Sequence, residues 1–182
     1  MNIALIGYGK MGKEIEQIAI SRGHSIVLKV DITNADSYSI DELKRADVAI
    51  EFSTPEAVIK NIYKCFDANV PVVVGTTGWL NHLEEVRSKC DANQQTLFYA
   101  SNYSIGVNLF FKANEYLAKL MNSYPEYNIA LEEIHHVHKL DSPSGTAISL
   151  ANQILENNKT KTKWVNNPSE NKNELSVIRC IE

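Results

Sequence analysis

The chain has 182 residues, 44% of them hydrophobic and 22% charged, with a formal net charge of -4. This is the make-up of a globular protein with room for one domain or two small ones, and its acidic balance argues against a nucleic-acid partner, which usually meets a basic face. No apolar run is long enough to cross a bilayer, and three scattered cysteines, Cys65, Cys90 and Cys180, make no disulfide framework. Met1 leads straight into a strand without a basic flank or cleavage site, so a cytoplasmic location is expected.

Residues 2–6 form a short apolar run of the kind buried in parallel sheets. It enters Gly7-Tyr8-Gly9-Lys10-Met11-Gly12, after which Ile15, Ile18 and Ala19 recur at helical spacing until Gly23. A second apolar run, 25–30, ends at Asp31. Strand, GxGxxG turn, helix, strand and acid is the order of a dinucleotide site. The glycines let backbone approach a pyrophosphate at the helix N-terminus, and the acid about 20 residues on can bond a ribose hydroxyl. The alternation continues with strands at 48–53, 70–74 and 96–100 and helices at 55–68 and 81–92. The predicted first half is therefore a Rossmann-type parallel sheet with helices on both faces. The turns after its strands, Phe52-Ser53-Thr54, Gly75-Thr76-Thr77-Gly78 and Ser101-Asn102-Tyr103, fall at the edge where such folds bind ligands.

The segment 105–121 is amphipathic, with Leu109, Leu117 and Leu120 on its apolar side, and is expected to bridge into a second domain. That domain takes a strand within 127–136, a helix over 143–157, a loop over 157–172 and a strand over 175–181. The predicted division is 1–104 for dinucleotide binding and 105–182 for an α+β domain of substrate binding and oligomerisation. Between them in the sequence order of the second domain lies Glu-Ile-His-His-Val-His-Lys-Leu-Asp-Ser-Pro-Ser-Gly-Thr-Ala, residues 133–147. Strand alternation puts Glu133 and His135 on one face with Lys139, while His136 and His138 point away. Ser142 is the expected helix cap, Pro143 the first-turn residue, and Gly145 and Thr146 the source of open backbone amides. Imidazoles beside a cation and a helix N-terminus suit proton transfer to an anionic substrate. Zinc is not expected, because adjacent His135 and His136 diverge on a strand and no HExxH or CxxC is present.

These motifs carry a family resemblance. The glycine loop, GTTG at 75–78 with SNYSIGVN at 101–108, and EIHHVHKLDSPSGTA together resemble the 4-hydroxy-tetrahydrodipicolinate reductase family, also called dihydrodipicolinate reductase, over nearly the whole chain. The resemblance implies reduction of a cyclic dicarboxylate by NADH or NADPH in diaminopimelate and lysine biosynthesis, by a cytoplasmic homotetramer. It implies His135 as general acid and Lys139 as a substrate-binding, charge-stabilising cation, with His136, Gly145 and Thr146 on the substrate carboxylates. Gly7, Tyr8, Gly9, Lys10, Met11, Gly12, Asp31, Gly75, Thr76, Thr77, Ala100, Ser101, Asn102 and Tyr103 would form the cofactor shell. Asp31 with no Arg after it favours NADH at least as much as NADPH, Lys10 offering partial compensation for a 2′-phosphate.

Two departures from the family pattern stand out. The loop GYGKMG is one residue tighter than the family's GAxGRMG, and the sequence stops inside a predicted second-domain strand. An incomplete sheet implies that the 175–181 strand lies near an edge, and that the 182-residue chain binds dinucleotide but turns over poorly and assembles abnormally. The alternatives are another two-domain dehydrogenase, whose chemistry would need a thiolate, and a non-catalytic nicotinamide-binding protein.

Overall fold

The computed structural model describes residues 1–137 and 142–181. Contacts divide the chain into two units, Met1–Tyr103 and Ser104–Glu182. Ser104 falls with the second unit because it caps that unit's first helix, its hydroxyl accepting from Val107 N at 3.4 Å.

In the first unit the chain runs β1 (Asn2–Ile6), α1 (Lys10–Ser21), β2 (Ser25–Val30), α2 (Ile40–Leu43), β3 (Val48–Glu51), α3 (Val58–Asp67), β4 (Val72–Val74), a 3-10 turn (Leu80–His82), α4 (Leu83–Ala92) and β5 (Leu97–Tyr99). Every strand pair is parallel, in the order β2-β1-β3-β4-β5. The reason β1 reads as an unbroken apolar run is visible in its burial. Ala4 and Ile6 join the core on one face with Val30, Ala49, Val58 and Ile62, while Ile3 and Leu5 meet Ala19 of α1 on the other. Two covered faces leave no polar side to alternate with. The chain steps from β1 out to β2 and then back across to β3, so the crevice between the carboxyl ends of β1 and β3 is the topological switch point where doubly wound sheets bind ligands. The short α2 is set by a reciprocal capping box between Ser39 and Glu42.

The second unit holds α5 (Ile105–Leu120), β6 (Ala130–His135), α6 (Gly145–Asn157), β7 (Lys163–Val165) and β8 (Glu174–Ile181). Its three strands are parallel, in the order β6-β8-β7. Ala147, Ala151 and Ile154 of α6 cover Leu175 and Val177 of β8, with Ala118 of α5 beside them. Three expectations are corrected here. The 175–181 strand is central in the sheet order, paired with β6 from Ser176 to Ile181 and with β7 over Glu174, Leu175 and Ser176. The segment 157–172 is not all loop, because β7 lies within it. Trp164 there rests against the α6 core, and three residues are too short a run for a periodicity signal. Finally, Leu109, Leu117 and Leu120 are 65%, 58% and 45% exposed. The side of α5 that meets α6 is small and polar instead, with Asn114 Nδ2 donating to Leu150 O and Gln153 Oε1, both at 3.1 Å.

Candidate active site

The GxGxxG loop of the first unit divides its work among three glycines. Gly7 has φ +95, and a Cβ there would lie 2.1 Å from the Phe52 carbonyl oxygen. Gly12 is equally closed, its Cβ falling 2.4 Å from Gly7 O, whereas a Cβ on Gly9 would meet nothing within 4 Å. So Gly7 makes the tight turn, Gly12 allows helix and loop to close, and Gly9 leaves an open space beside them. Gly9 is also the N-cap of α1, with no side-chain cap and no acidic residue in the first turn, which leaves the positive helix end open to an anion. The loop is pinned from below, as Gly7 N and Tyr8 N both donate to Val30 O at 2.9 and 2.8 Å.

Gly9, Lys10 and Met11 line a cleft of about 380 Å³ together with Phe52, Ser53, Pro55, Gly75, Thr76 and Thr77. Phe52 is the wedge of this site. Its carbonyl closes on Gly7, and its ring would sit 2.1 Å from a Cβ at Gly75. Thr76 Oγ1 is buried with no hydrogen-bond partner among the described residues. An orphaned hydroxyl in a lining, beside an open glycine and an uncapped helix end, fits a phosphate- and ribose-bearing dinucleotide.

Asp31 follows β2. The Thr33 hydroxyl and the Thr33 N–H both bond its Oδ1, at 2.6 and 2.7 Å. These bonds, the hydroxyl's first, hold the carboxyl below its usual range, and the charge of Lys13 adds to them. Lys13 rather than Lys10 is thus the α1 cation felt at Asp31, while Lys10 lines the cleft. Lys13 lies one turn after Lys10 on α1, a spacing visible in the sequence. The Tyr8 phenol turns to Glu16, which Lys29 also holds at 2.5 Å, and Tyr8 is not among the cleft-lining residues. Ala100, Ser101, Asn102 and Tyr103 follow β5 at the same carboxyl edge of the sheet, outside the cleft lining. Tyr103 bonds Val74 O at 2.8 Å and sets its ring against Phe52 and Phe98.

The second unit carries a different constellation. β6 alternates in exposure along its length, so Glu133 and His135 share the more covered face, and His135 Nε2 lies 2.9 Å from Glu133 Oε2. The other carboxylate oxygen accepts from Ser144 N at 2.8 Å. Burial alone would raise the Glu133 carboxyl, but bonds from the Ser144 side chain and backbone and from His135 outweigh it and leave it below the usual range. Ser144, not Ser142, is the N-cap of α6, its hydroxyl accepting from Ala147 N at 3.1 Å, and Pro143 precedes the cap. The Ser-x-x-Ala spacing of Ser144 serves the helix better because Glu133 receives its backbone N–H at the same time. Gly145 and Thr146 open the helix and are exposed, with nothing within 4 Å of a Cβ at Gly145. His136 is exposed one residue past β6. Lys139, with His138, lies outside the described residues.

The cysteines bear on the thiolate alternative. Burial, and then the Glu51 charge, push the Cys65 thiol up to about 12, and burial raises Cys90 as well. Neither offers a nucleophile near neutral pH.

A glycine-cradled dinucleotide site on a parallel sheet, with an acid–imidazole pair on a second unit, defines the class of a nicotinamide-dependent oxidoreductase. Sequence comparison makes this specific. Residues 1–103 match the family described as dihydrodipicolinate reductase, N-terminus, and residues 106–181 the one described as dihydrodipicolinate reductase, C-terminus. The 4-hydroxy-tetrahydrodipicolinate reductase of Christiangramia forsetii is 49% identical over 90% of this chain and 68% of its own length. That of Staphylococcus epidermidis is 39% identical over 86% of this chain and 65% of its own. Among solved structures, a dipicolinate-bound dihydrodipicolinate reductase from Paenisporosarcina sp. TG-14 superposes with a TM-score of 0.72 at 25% identity, covering 98% of this chain and 78% of that one. The chain belongs to the dihydrodipicolinate reductase family, the NAD(P)H-dependent oxidoreductases of diaminopimelate and lysine biosynthesis.

Proposed function

We propose that the two units divide the reduction of 4-hydroxy-tetrahydrodipicolinate between them, cofactor on the first and the cyclic dicarboxylate on the second. The observation that carries this is the Glu133 carboxylate, which bridges the His135 ring to the capped N-terminus of α6. A bound nicotinamide dinucleotide supplies hydride. Gly9, Lys10, Met11 and the Thr76 hydroxyl would hold its phosphates and sugars, and the Asp31 carboxylate would accept from a ribose hydroxyl. His135 is the general acid, delivering a proton to the ring carbon beside the hydride acceptor. Glu133 fixes the imidazole by its Nε2. Gly145 and Thr146, at the positive end of α6, take one substrate carboxylate with His136, and Lys139 takes developing negative charge.

Asp31 favours a free 2′-hydroxyl, and Lys13 tempers its repulsion of a 2′-phosphate, so NADH serves at least as well as NADPH. The exposed apolar side chains of α5 and Ile134 of β6 support assembly as a homo-oligomer, a homotetramer by family analogy. Among the described residues no helix is long and apolar enough to cross a membrane. A cytoplasmic site of action follows the biosynthetic role of the family. The test is steady-state oxidation of NADH and of NADPH with 4-hydroxy-tetrahydrodipicolinate. Turnover with NADH at least matching NADPH is expected. Tight dinucleotide binding without turnover would replace the reductase with a non-catalytic nicotinamide-binding protein.

A further inference from the structure

Glu51 ends the central strand β3 and is fully buried, at 0% exposure. Its Oε1 accepts three bonds, from the Ser53 hydroxyl, from Ser53 N at 3.2 Å and from Asn61 Nδ2 at 3.1 Å. Its Oε2 is buried without a partner among the described residues. Asn61 Nδ2 also reaches the Ser53 hydroxyl at 3.1 Å, and the Tyr38 hydroxyl donates to Asn61 Oδ1 at 3.2 Å. A carboxyl in this position is a poor choice for stability. It is surrounded by core residues, one of its oxygens is unsatisfied, and burying it is costly however it is paired. An apolar side chain would fill the same volume with no orphan, so the departure from good core chemistry points to a function.

The function is indicated by what Glu51 grips. Both Ser53 donors converge on one carboxylate oxygen, which fixes the turn two residues beyond the strand. Ser53 lines the first-unit cleft, and so does Phe52 between them. Phe52 is also the residue on which the Gly7 and Gly75 loops close. The direction of the Phe52-Ser53 step therefore sets the shape of one wall of the cleft, and Glu51 sets that direction from behind.

We propose that Glu51 is a positioning residue for dinucleotide binding, acting through Ser53 to hold the β3 wall of the cleft in its ligand-ready form. This rests on the reading of that cleft as the dinucleotide site. Glu51→Gln must either leave an Nε2 donor at the buried, unpartnered position or turn it against the Ser53 and Asn61 donors, so it should weaken NADH binding about tenfold in calorimetric titration of the full chain. kcat at saturating cofactor should stay near wild type while cofactor KM rises. Glu51→Asp, which keeps two acceptor oxygens, should recover part of the loss. The pair Glu51→Gln and Ser53→Ala should be strongly non-additive in Kd, because one acts through the other.

A role in stability alone predicts a lowered melting temperature with unchanged Kd and KM, and that result, or additive losses in the double variant, overturns the proposal. Should Glu51→Gln fail to fold, Glu51→Asp, which shortens the reach to Ser53 without altering a cleft-lining residue, decides alone. Weakened binding at an unchanged melting temperature supports the proposal, and wild-type affinity overturns it. A wild-type chain that binds neither NADH nor NADPH removes the site reading itself, which separates that failure from this one.

Discussion

The two candidate sites are built from different materials. In the first unit the cradle is backbone, shaped by where side chains are missing. Gly9 leaves a space, Gly7 and Gly12 let main chain pass main chain, and Gly75 makes room for the Phe52 ring. In the second unit the site is side chain, shaped by where polar atoms meet: His135 with Glu133, and Glu133 with Ser144. Damage should follow this difference. Adding atoms should harm the first site, and removing polar atoms should harm the second.

The largest effect tests the second half of that statement. His135→Gln keeps an amide near the position of the ring but cannot act as the acid, so kcat should fall by about 100- to 10,000-fold. Dinucleotide affinity, measured by fluorescence titration, should not move, since no group of the first unit is altered. A tenfold or larger loss of cofactor binding in this variant would erase the division of labour between the units.

Glycine variants probe the first half. Gly7→Ala forces a Cβ against the Phe52 carbonyl at a backbone angle that alanine resists, and should cost roughly 2–4 kcal/mol of unfolding free energy in urea. Gly9→Ala meets no neighbour and should leave stability within about 1 kcal/mol, yet a methyl in the open space should weaken dinucleotide binding about tenfold. Two alanines only two residues apart should thus separate folding from binding. Equal stability losses in the two variants would mean that Gly9 serves the turn and not the ligand.

The same contrast governs what could be read from sequence. Glycine spacing, apolar runs and the terminal acid made the first unit legible, because a parallel sheet with both faces covered writes itself as unbroken apolar segments. The edge cleft followed from strand order. The burial of Glu51 is not legible, since a single acid ending an apolar run gives no sign of whether it is buried or solvated. In the second unit strand alternation correctly paired Glu133 with His135. The expected cap, Ser142, lies two residues before the observed one, because Ser142 and Ser144 are equally good caps by type and only the Glu133 bond to Ser144 N distinguishes them. β7 is too short to leave a periodic signal, and without it the central position of β8 is not legible. The apolar stripe of α5 was legible as a stripe, but its exposure was not, since periodicity says which residues share a face and not what covers them.

The smallest effect concerns the Glu133 bridge itself. Its carboxyl titrates below the usual range in the folded chain, because the bonds from Ser144 and His135 outweigh the opposing effect of burial. A depressed folded value means that the unfolded chain takes up the proton first as pH falls. The stabilisation is therefore complete above the unfolded carboxylate value, about 4.3, and is lost as pH drops through the lower folded value. Glu133→Gln retains the shape and can still accept from Ser144 N, but it gives up the charge. Wild type should accordingly be the more stable of the two near neutral pH, with the gap closing on acidification below about 4. Urea midpoints at pH 7, 5 and 3.5 would trace it. A gap that stayed constant across that range would mean that Glu133 acts through shape alone, and that its charge does not link the strand to the helix cap.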